Sequence, residues 1–231
     1  MEGATPTSLL RPRALRAFLE ERPDVLAVSS HLLRPPAPAG IDVLPLVMVR
    51  HPLDRAVSVY NQLRRGASKG LESEVVARRE TFAEFVRWCL DHKSAGGIVI
   101  ADYQVVHLSP ASFRGGHIYE AAASEDDLRH AIDYLSAGAC FGTVDRFDLM
   151  IARLCKSAGE AGFAEVDPQL VGASVSENVT VGRPRSLEER VALAAEQLGP
   201  LLLERYAQEN ALDYRLYAWA ALHRGEDLRS P

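Results

Sequence analysis

The stretch LPLVMVRHPLDRAVSVYNQLRR, residues 44–65, sets an arginine and a serine at the joint between an apolar run and a helix. Arg50 closes the run, Pro52 follows two residues later, and Arg55, Ser58 and Tyr60 come early in the amphipathic segment beyond it. Proline in the first turn of a helix gives up an N–H that would have no partner anyway. The remaining free N–H groups and the helix dipole favour an anion at that end. An arginine fork at the carboxyl end of a parallel strand would reach the same anion, and so would the Ser58 hydroxyl. Together they have the physical character of a phosphate site. Spacing alone equally allows Arg50 to pair with a surface carboxylate and Ser58 to be an ordinary exposed serine.

Two strands and a set of helices must hold that joint. VLPLVMV, residues 43–49, is rich in β-branched residues and apolar on both faces, as a covered parallel strand should be. DVLAVSS, from Asp24 to about Ser29, reads as a second short buried strand with His31 just past its end. Loop residues separate the two, and helix follows each strand, so the pattern predicts an α/β fold. Helices are predicted at 13–21, 53–64, 81–90, 125–135, 146–158 and 187–209, the last bent at Gly199-Pro200. The segment around 68–80 is either a polar connection or a short helix. LVGASVSENVTVGRPRS, residues 170–186, reads as a long irregular loop. One domain over residues 1–231 accounts for the whole pattern.

Composition narrows the function classes. The 231 residues are 47% hydrophobic and 25% charged, with a formal net charge of -5, which disfavours a general nucleic-acid binder but allows a local basic pocket. Three widely spaced cysteines, without CxxC pairs or histidines at ligand spacing, predict neither a disulfide framework nor a metal site. No apolar run is long enough to span a bilayer and the N-terminus lacks a signal-peptide pattern, so the expected location is the cytoplasm. A P-loop kinase is not expected, since G-x-x-x-x-G-K-[ST] does not occur.

The pattern R-x-P-x-x-R-x-x-S-x-Y at Arg50, Pro52, Arg55, Ser58 and Tyr60 resembles the 3′-phosphate motif of sulfotransferases that use 3′-phosphoadenosine 5′-phosphosulfate (PAPS). It is most similar to the carbohydrate-type branch that includes heparan sulfate 2-O-sulfotransferase. LAVSSHLLR, FGTVDRFD, ENVTVGRPRSLEE and NALDYRLYAWA are similar to further family segments in the same order. The resemblance implies a P-loop-NTPase-like parallel sheet flanked by helices, with a mostly helical C-terminal half. It implies Arg50 and Ser58 as ligands of the donor's 3′-phosphate, His31 as the base, and Arg183 or Arg185 in a loop that closes over the donor. The acceptor would be a hydroxyl of a glycan or other small molecule, and PAPS the co-substrate with no metal.

GATPTSL, residues 3–9, stands where the family has a K-T-G-G-T-S-L loop around the 5′-phosphosulfate. Thr5, Thr7 and Ser8 would then contact the donor. The lysine position falls on Gly3, Pro6 replaces a glycine, and the strand that precedes the loop in the family is missing from the sequence. Pro6 removes a donor from a loop whose task is donating. The expectation is therefore a slow sulfotransferase, or a sulfotransferase-like protein that binds the nucleotide without transfer.

Overall fold

Two four-residue strands, β1 (Leu46–Val49) and β2 (Cys140–Thr143), pair in parallel with Leu46 opposite Cys140 and Val49 opposite Thr143. They belong to a computed structural model that describes residues 12–25, 27–29, 33–66, 70–92, 100–110, 122–160 and 186–223. The rest of the regular structure is helical. It comprises α1 (Pro12–Glu21), α2 (Pro52–Arg65), α3 (Glu72–Arg79), α4 (Phe82–Asp91), α5 (Tyr103–Leu108), α6 (Glu125–Ser136), α7 (Phe147–Glu160), α8 (Leu187–Glu209) and α9 (Ala211–His223). A short 3-10 turn at Val144–Arg146 leads from β2 into α7.

This architecture overturns the predicted P-loop-NTPase-like fold. The described sheet has two strands, where the expected nucleotide-binding fold has an extensive one. Asp24 and Ser29 are exposed, and the described residues of that segment lie in no strand, because no neighbouring strand takes their backbone groups. Of the predicted run 43–49 only Leu46–Val49 joins the ladder; Pro45 contributes its carbonyl to Cys140 at 2.8 Å but has no N–H to offer.

Local signals start and stop the helices. Thr81 with Glu84, Ser124 with Asp127, and Ser186 with Glu189 form reciprocal capping boxes at α4, α6 and α8. Within α8, Gly199 takes φ 68°, a left-handed conformation that glycine adopts without a side-chain clash, and Pro200 follows at the kink.

Two apolar clusters result. One joins α2, α4 and α8 through Leu53, Ala56, Tyr60, Phe85, Leu198 and Tyr206. The other joins the strands to α5, α6 and α9 through Val49, Val105, Leu128, Phe141 and Leu216. Val49 belongs to one cluster and Leu53 to the other, so Arg50, His51 and Pro52 cross the seam between them. On the outer side of the sheet α7 lies very close to β2. A Cβ built on Gly142 would come within 2.6 Å of Met150 Cγ. Among the described residues no helix is long and apolar enough to cross a membrane.

Candidate functional site at the strand-to-helix joint

The strand does end at Arg50 and α2 does begin at Pro52, with His51 in the N-cap position. The Arg50 side chain, however, turns to a carboxylate in the first turn of the helix that follows it. Arg50 Nε donates to Asp54 Oδ2 at 2.6 Å, and Arg190 at the start of α8 donates to the same carboxylate through Nε at 2.8 Å and Nη2 at 3.3 Å. Asp54 is 2% exposed, whereas the Arg50 and Arg190 side chains keep 30% and 35% of their surface in water. Burial works against the Asp54 charge, but the hydrogen bonds from Arg190 and Arg50 outweigh it and hold the carboxyl below its ordinary range. The same bond to Asp54 raises Arg190 above the usual guanidinium value. Asp54 thus ties the first turns of α2 and α8 together through two cations.

The backbone of the joint is held as firmly. Gln104 in α5 accepts from the Arg50 N–H through Oε1 at 2.8 Å and donates through Nε2 to the Arg50 carbonyl at 2.9 Å. Its side chain takes the part that a third strand would play at that residue. Tyr206 Oη donates to the Pro52 carbonyl at 2.9 Å from the other side.

His51 stands edge-on to Tyr214 and Tyr217, with ring centroids 5.4 and 5.2 Å away. Burial lowers its pKa, with Asp54 and Asp145 opposing, so the imidazole is neutral at pH 7. Its Nδ1 is buried and has no hydrogen-bond partner among the described residues. Asp145, just beyond β2, accepts from Tyr217 Oη at 2.9 Å. The carboxyl ends of both strands therefore converge on one polar face made of Arg50, His51, Asp54, Asp145, Arg190 and Tyr217.

The other members of the arginine-serine pattern have structural duties. The Arg55 guanidinium lies 3.9 Å above the Tyr103 ring and beside Asp213. Tyr60 packs its ring on Phe82 and Phe85 and donates its hydroxyl to the Glu80 carbonyl at 2.7 Å. Ser58 is half-buried on α2, and its hydroxyl makes no hydrogen bond among the described residues. His31, Thr5, Thr7, Ser8 and Arg183 lie outside the described residues. His107 is half-buried and hydrogen-bonded to the buried Arg34.

Sequence reasoning missed Asp54, Arg190, Gln104 and Asp145. Asp54 had a signal, four residues after Arg50 and in the first turn of the predicted helix. The others have none, because their partners are remote in the chain. Among the described residues no group of three or more His, Cys, Asp or Glu side chains could hold a metal ion.

No family model matches the sequence, and no solved structure matches it. It is similar to an uncharacterized protein of Archaeoglobus fulgidus, 23% identical over 205 residues that make up 87% of this chain and 76% of the relative. These findings and the two-stranded sheet overturn the resemblance to sulfotransferases, and with it the sulfotransferase activity and its non-transferring variant. PAPS as co-substrate falls for the same reason, since the sheet that would carry a donor site is not present among the described residues. The arginine-serine pattern instead reports how α2 is anchored. Arg50 answers Asp54, Arg55 answers Tyr103 and Asp213, and Tyr60 fills the core.

Proposed function

We propose that the chain binds a small hydroxylated ligand carrying a phosphate or carboxylate, at the polar face where β1 and β2 end. The observation that carries the reading is the pairing of two guanidiniums with a single buried carboxylate. Arg50 and Arg190 share the Asp54 carboxylate, Asp145 and Glu188 also lie near Arg190, and both guanidiniums reach solvent. Arg50 uses only Nε on Asp54, and its two terminal nitrogens make no hydrogen bond among the described residues. They can fork onto an oxyanion in the geometry that favours arginine in such sites. Asp145 beside Tyr217, and Glu188 near Arg190, supply acceptors for ligand hydroxyls. Neutral His51 adds an apolar ring edge. The net charge of -5 favours a small anion over a polyanion as the partner.

Isothermal titration with glucose 6-phosphate and with glucuronate tests the reading, with Arg50→Ala as the control. Asp54 keeps Arg190 in that variant, so the fold survives and circular dichroism can verify it. Losing charge-assisted hydrogen bonds to the ligand should weaken binding by about tenfold or more. Absence of saturable binding of both probes, or equal affinity in Arg50→Ala, would overturn the proposal.

A further inference from the structure

Besides its ring edge, His51 turns one polar atom to the surface, and so does Asp145. The His51 side chain makes no hydrogen bond among the described residues; Nδ1 is buried, whereas Nε2 reaches solvent. Asp145 spends Oδ1 on the Tyr217 hydroxyl at 2.9 Å, and its Oδ2 reaches solvent without a hydrogen bond among the described residues. Tyr217 of α9 positions both groups. Its ring stands edge-on to the imidazole, with centroids 5.2 Å apart, while its hydroxyl orients the carboxylate. Asp145 lies near enough to His51 and to Arg190 for its charge to act on both.

The buried nitrogen decides where the imidazole carries its proton. A proton on Nδ1 would leave a buried N–H without an acceptor among the described residues, an arrangement that folded proteins rarely keep. On Nε2 the same proton is hydrated. His51 is also the N-cap residue of α2, where the positive end of the helix dipole favours a lone pair over a further N–H. The face therefore presents a neutral donor, Nε2–H, beside a charged acceptor, Oδ2.

We propose that His51 Nε2–H and Asp145 Oδ2 hold one hydroxyl of the ligand between them, so that His51 is a specificity-determining residue of the site. This assignment rests on the anion reading, in which Arg50 takes the oxyanion, and it narrows the ligand class to small anions that carry an alcohol a few bonds from the anionic group. An alcohol satisfies both atoms, because it donates its hydrogen to the carboxylate and accepts from the imidazole through a lone pair. A ketone or ether oxygen would turn lone pairs toward the Asp145 carboxylate. An ammonium would set a donor against the His51 N–H. The Asp145 charge also repels an oxyanion, and this fixes the direction of the ligand, with the oxyanion on Arg50 and the alcohol toward Asp145.

Isothermal titration of the full chain at pH 7 with glycerol 3-phosphate and propyl phosphate, which differ in the hydroxyl groups alone, tests the assignment. Glycerol 3-phosphate should bind about tenfold more tightly, the effect of hydrogen bonds that include a charged partner. His51→Phe keeps a ring against Tyr214 and Tyr217 but has no N–H, and in it the ratio of the two affinities should fall toward one. Nitrogen NMR of the parent chain needs neither ligand nor variant, and it should show the His51 proton on Nε2 at pH 7. Equal affinities of the two probes for the parent chain, an unchanged ratio in His51→Phe, or a proton on Nδ1 would each overturn the assignment and leave the anion reading standing. Absence of saturable binding of both probes would overturn the two together.

Discussion

Replacing Asp54 by Asn probes the clamp that fixes α8 on α2. The carboxylate is 2% exposed and accepts three bonds, at 2.6, 2.8 and 3.3 Å, from two guanidiniums. Removing one partner of a buried ion pair typically costs about 3–5 kcal/mol. Here the cations left behind are 30% and 35% exposed and regain part of their hydration, which reduces the expected loss to about 2–3 kcal/mol. Urea unfolding at neutral pH, read by far-ultraviolet circular dichroism, should show the midpoint falling with an unchanged slope. The pH dependence supplies a second check. Asp54 titrates below its ordinary value in the native chain, so its stabilisation is present above the ordinary carboxylate range and disappears as the pH falls through the native value. The gap between the parent and Asp54→Asn should accordingly close in acid. A neutral-pH loss under about 0.5 kcal/mol would refute the reasoning, because it would place the clamp among ordinary surface ion pairs.

Two further predictions concern packing. Gly142→Ala would force a Cβ to within 2.6 Å of Met150 Cγ and should cost about 1–3 kcal/mol, with partial recovery on adding Met150→Ala; additive losses in the pair would contradict the close approach of α7 to β2. Burial pushes the Cys89 thiol up to about 12, so Ellman's reagent at mild alkaline pH should leave Cys89 unmodified in the native chain and modify it in urea. Native labelling of Cys89 as fast as in urea would show that the core around α4 is open.

Much of the helical framework was legible because its signals are local. Pro52 opens α2, the pairs Thr81 and Glu84, Ser124 and Asp127, and Ser186 and Glu189 open three further helices, and Gly199-Pro200 marks the bend. Strands were read less well. Asp24 to Ser29 has the composition of a strand, yet its described residues lie in none, since a strand exists only where a neighbour accepts its backbone bonds. Cys140–Thr143 is short and contains a glycine, and its pairing with β1 alone makes it a strand. Helix α5 has six residues, too few to show a period, and its first N–H groups are satisfied by Asp213 rather than by a neighbour in sequence. NALDYRLYAWA was read only for its likeness to a family segment, although residues 211–223 form a helix with apolar residues around much of its circumference.

The arginine-serine pattern shows where this division falls. By itself the sequence determined that an apolar run would end at Arg50 and that a helix with proline in its first turn would follow, since these depend on contacts within about four residues. Only the tertiary structure decided what Arg50 would face. Asp54 meets Arg190 across 136 residues of chain, and Asp213 meets Val105 across 108. Such pairs form because packing α8 and α9 against α2 and α5 buries polar groups that must then find partners, and no local rule says which distant carboxylate will be there to meet them.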